Sequence, residues 1–73
     1  MEPELLDIIR EALASRQRKE TLERAISKAV RRNNLDFGTY IKIMSEIRDL
    51  SEEGQADPED VAKRLVSENK KNS

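Results

Sequence analysis

Cysteine, histidine and tryptophan are all absent from this chain of 73 residues. Without cysteine there is no disulfide and no thiolate metal site. Without histidine the commonest general base and the commonest zinc ligand are missing. Two isolated glycines cannot build a phosphate-cradling loop. No apolar run approaches the roughly 20 residues that span a bilayer. The opening Met1-Glu2-Pro3-Glu4 is acidic where a signal peptide is basic. These absences point to a cytoplasmic protein with no membrane role.

They also weigh against catalysis. A nucleophile would have to be Ser, Thr, Lys or a carboxylate activated by its surroundings. Asp49, Glu52 and Glu53 are close in sequence, yet they lack the spacing of a calcium loop or a carboxylate-helix motif. The expectation is a non-enzymatic protein with no cofactor, no metal and no small-molecule substrate.

What the chain does contain is charge. Charged residues make up 40% of it, yet the formal net charge is only −1. Between Arg10 and Arg32 lie eight basic and three acidic residues, leaving six basic and twelve acidic elsewhere. The window is thus +5 and the remainder −6, a polarity able to steer partners. The near-zero total argues against disorder, which needs low hydrophobicity together with high net charge.

Apolar periodicity and helix stops give the fold. In Gly54-Gln55-Ala56-Asp57-Pro58, glycine suits the left-handed residue past a helix end, Asp57 an N-cap and Pro58 the first helical position. Asn33-Asn34-Leu35-Asp36 forms a second stop, with Asp36 as the cap of the next helix. From there Phe37, Tyr40, Ile41, Ile43, Met44, Ile47 and Leu50 read as one apolar face. Leu22, Ala25, Ile26, Ala29 and Val30 form an earlier stripe, and Leu5 to Leu13 cover a broader arc. Residues 4–32 as one straight helix would be about 44 Å long, too long for a compact monomer. A break near 16–20 with Thr21 as N-cap is the preferred reading; a continuous helix would imply a dimer.

The expected fold is all-α, a small three- or four-helix bundle with helices at about 3–15, 21–32, 37–53 and 58–68. Residues 1–68 would form one domain and the polar tail 69–73 would fray. A chain this short buries only about 60% of its unfolded surface, so its stability is marginal.

Two kinds of partner are expected. The favoured one is another protein or a second copy, met through complementary charged faces, with Leu5, Ile8 and Ile9 as an apolar partner surface on the broad first helix. The alternative is nucleic acid, met by the basic face of Arg24, Lys28, Arg31 and Arg32. Val30, Asn34, Leu35, Asp36 and Thr39 loosely follow a helix-turn-helix rhythm. Against it, the would-be reading helix is net acidic, and Phe37 and Tyr40, the only aromatics, fall on the face expected to be buried.

Overall fold

The computed structural model describes the backbone of residues 1–71 and the side chains of residues 1–68. It is an all-α bundle of four helices: α1 (Pro3–Ser15), α2 (Leu22–Arg32), α3 (Phe37–Gly54) and α4 (Pro58–Lys71). Each helix packs on its neighbours in chain order, and α4 returns to α1, which closes a ring. Among the described residues no helix is long and apolar enough to cross a membrane.

The long first stretch breaks where expected. A turn over 17–20, closed by Glu20 N–H donating to the Gln17 carbonyl at 3.1 Å, puts Lys19 at φ 70°. Thr21 then caps α2 by accepting from the Arg24 N–H at 3.2 Å. At the α2 end, Asn34 takes the left-handed conformation (φ 57°). Leu35 N–H donates to the Val30 carbonyl and Asn34 N–H to Arg31, a Schellman arrangement that satisfies carbonyls the helix leaves open. Asp36 caps α3, its Oδ1 accepting from the Thr39 N–H at 3.0 Å and from its hydroxyl at 3.2 Å.

The α3 end differs from the expectation. Gly54 is the last helical residue, and Gln55 takes the left-handed position, at φ 51°. Ser51 explains why a non-glycine is held there. Its carbonyl accepts from the N–H groups of both Gln55 and Ala56, and its hydroxyl donates to the Ala56 carbonyl. The α4 helix begins at Pro58 and continues to Lys71, past the expected end near Glu68. The fraying expected of 69–73 concerns side chains outside the described set, and residues 72 and 73 lie outside it altogether.

The core draws on every helix. Ile9, Ile26, Ile43 and Ile47 are its largest fully enclosed side chains, with Val61 and Ala62 contributed by α4. Leu5, Ile8 and Ile9, expected as an apolar partner surface, are instead buried in this core. The broad apolar arc of α1 has an internal cause, since α1 packs on α2 and on α4 at once.

Candidate functional site

Once the core is filled, one apolar surface remains uncovered near the α2–α3 turn. Phe37 is 69% exposed, Ile41 46% and Leu35 41%. The expectation that Phe37 and Ile41 face inward fails on helical phase. At about 100° per residue, Ile41 points about 160° away from Ile43 and Phe37 about 120° away. Ile43 and Ile47 take the core; Tyr40, at about 60°, is half-buried. The Tyr40 ring backs that of Phe37, centroids 5.4 Å apart and planes 24° apart. Together with Ser27, Val30, Arg31 and Leu35, the two rings line a shallow groove of about 400 Å³. A second depression beside it brings in Arg24 and Glu23.

The basic row divides into engaged and available members. Lys28 Nζ lies 3.0 Å from Glu20 Oε2, and the Glu20 side chain is only 7% exposed. Arg32 donates through Nε to Glu11 Oε2 at 2.9 Å and through Nη2 to the Ser15 hydroxyl at 2.8 Å. These two cations tie α2 to α1 and to the linker between them. Both are thus engaged within the chain. Arg24 reaches Glu20 only at 4.0 Å and stands well exposed. Arg31 makes no ion pair among the described residues and lies beside the rings. Of the four residues expected to form the basic face, Arg24 and Arg31 thus remain, and both border the aromatic groove.

Another surface lies toward the opposite end of α3. Leu50, 40% exposed, sits in a groove of about 340 Å³ between α3 and α4, lined by Glu53, Gly54, Val61, Arg64, Leu65 and Glu68. An adjoining depression adds Met1, Glu46 and Asp49. One oxygen of Glu46 is buried there with no hydrogen-bond partner among the described residues. No group of three or more metal-ligating side chains converges among those residues.

Three carboxylates are held ionised by the scaffold. Hydrogen bonds from Asn33 and then Arg32 hold Glu11 below the usual carboxylate range, one from Lys28 and then the Gln17 N–H do so for Glu20, and one from Arg16 does so for Glu59. Because the folded chain releases these protons more readily than the unfolded chain, the stabilisation is complete above the unfolded carboxylate pKa of about 4.3. It disappears as pH falls through the lowered values. Thermal melts should therefore give a level midpoint from about pH 6 to 8 and a steep decline below about pH 4. Replacing Glu11, Glu20 and Glu59 together by glutamine should flatten that decline.

The exposed aromatic step escapes any reading of residues 37–50 as a single stripe, although a wheel count places Phe37 and Ile41 off it. The separation of engaged from available cations has no local signal, since Arg32 finds Glu11 across 21 positions. Comparison of the chain with protein-family models, with curated proteins and with solved structures finds no match in any of the three.

Proposed function

We propose that this chain is a small non-enzymatic binding module that docks on another protein through the face formed by Leu35, Phe37 and Ile41 and bordered by Arg24 and Arg31. The observation that carries the reading is Phe37, a large ring left 69% exposed in a chain that has only two aromatics. Aromatic and arginine side chains are the residue types most enriched where interface binding energy concentrates. The two arginines select for an acidic surround on the partner and set its orientation.

A photoreactive benzophenone side chain at position 37 tests the proposal in cells. A protein adduct is expected at this position, absent when the probe sits at Lys63 on α4 and lost when Arg31→Glu is added. No adduct at position 37 would sink the proposal.

Nucleic acid is the second reading, and the same ring favours it, because an exposed aromatic beside a free arginine can stack a single-stranded base. In that case the adduct at position 37 is nucleic acid. Binding at about 50 mM salt would then weaken when Arg24 and Arg31 are both changed to alanine.

A further inference from the structure

We infer that the partner of the Phe37 face is a second copy of this chain, whose acidic groove around Leu50 receives it head to tail. The inference rests on the docking role of Phe37 proposed above and names its occupant.

Three observations support the match. The first is charge. The Phe37 face carries Arg24 and Arg31 against Glu23, whereas the surround of Leu50 carries Glu46, Asp49, Glu53 and Glu68 against Arg64 among the described side chains. A symmetric pairing of either face with itself would oppose like charges, so the complementary arrangement is the heterologous one. The second is shape: one face projects an exposed ring, and the other is an apolar groove in which Leu50 is open to solvent.

The third is Gly54. This glycine is helical, where glycine is disfavoured relative to alanine, and a Cβ added there would meet nothing within 4 Å. Neither its own conformation nor internal packing calls for a glycine. It lines the groove, where a missing side chain lets a partner approach the backbone closely.

The geometry fixes the kind of assembly. Phe37 and Leu50 are 13 residues apart on α3, a rise of about 20 Å, so the two faces lie toward opposite ends of the helix. The two faces also lie about 140° apart around α3, so a second copy seated on one cannot also cover the other, and the contact adds copies in an open row or closes them into a ring. Each patch is small, so the contact is weak and is populated only at high concentration.

Sedimentation equilibrium from about 10 μM to about 1 mM reads it directly. The average mass should rise from 8.4 kDa and continue past twice that value. Phe37→Ser removes the projecting ring and Leu50→Arg blocks the groove. Each variant alone should associate at least about tenfold more weakly than the natural chain. Mixed together, they retain one intact contact and should form a 1:1 pair that grows no further. Gly54→Ala should melt no lower than the natural chain yet associate more weakly.

A constant mass of 8.4 kDa overturns the inference, as do a plateau at the dimer or variants that fail to pair when mixed. Circular dichroism melts of each variant verify that it is folded. If the natural chain stays monomeric while position 37 still crosslinks to a different protein, the inference falls and the docking role stands. If position 37 captures nothing, both fall.

Discussion

Ile47→Ala should lower the stability of the bundle by about 3 kcal/mol, within the range of about 2–5 kcal/mol for emptying a closed aliphatic site. Ile47 is fully enclosed, and α3, which carries it, packs on both α2 and α4. The loss combines the transfer energy of the deleted methyl and methylene groups with the cavity they leave. For a domain of this size, about 4–8 °C of melting midpoint is lost per kcal/mol, so the midpoint should fall by more than about 12 °C. Total stability for such a chain is on the order of 5 kcal/mol, so little margin would remain. Ile41→Ala is the matched control. It removes the same atoms from the same helix, six residues away, at a position 46% exposed, and should cost less than about 0.5 kcal/mol. Equal losses from the two substitutions, measured by urea denaturation, would contradict the assigned phase of α3.

The next largest effect should come from Arg16. Its guanidinium reaches from the α1–α2 linker to α4, meeting Glu59 with both ends: Nη1 to Oε2 at 2.6 Å and Nη2 to Oε1 at 2.5 Å. Its Nε donates to the Glu20 carbonyl at 2.7 Å, so one side chain holds the linker turn and the start of α4 together. Arg16→Ala removes all three bonds and should cost about 1–2 kcal/mol. The value is kept at the low end because Glu59 is partly open to water, which screens the pair. A double-mutant cycle with Glu59→Ala should give a coupling of about 1 kcal/mol. Arg16→Lys should recover little of it, because an ammonium cannot meet two carboxylate oxygens in parallel. A coupling indistinguishable from zero would mean that the contact contributes nothing to stability.

Most of the secondary structure was legible because the signals that set it are local. Thr21 and Asp36 are N-caps acting over three residues, Asn34 needs only its own tolerance of positive φ, and Pro58 needs only its fixed φ. Gly54 illustrates the limit of residue preference: the backbone there follows the hydrogen bonds of Ser51, and the left-handed role passes to Gln55. The broad arc of α1 was visible, but its cause was not, since one helix cannot show how many others surround it.

Ion pairing was the least legible feature. Glu59 and Lys63 are spaced for a helical pair, yet Glu59 spends both oxygens on Arg16, 43 positions away. The candidate face depends on the same long-range facts. Arg24 and Arg31 stand out as the unengaged members of the basic row only once Lys28 and Arg32 are seen to be engaged by Glu20 and Glu11.

The ring in which the helices pack also sets the order in which the molecule can assemble. Three of its four contacts join consecutive helices across linkers of at most six residues, so each closes a small loop at little entropic cost. Folding dominated by such near neighbours runs on a timescale of about microseconds to milliseconds. Only the contact of α4 with α1 must wait for the whole chain, and the Arg16–Glu59 pair lies at that late step. Arg16→Ala should therefore speed unfolding while leaving the folding rate nearly unchanged, which stopped-flow measurement of both rates would read.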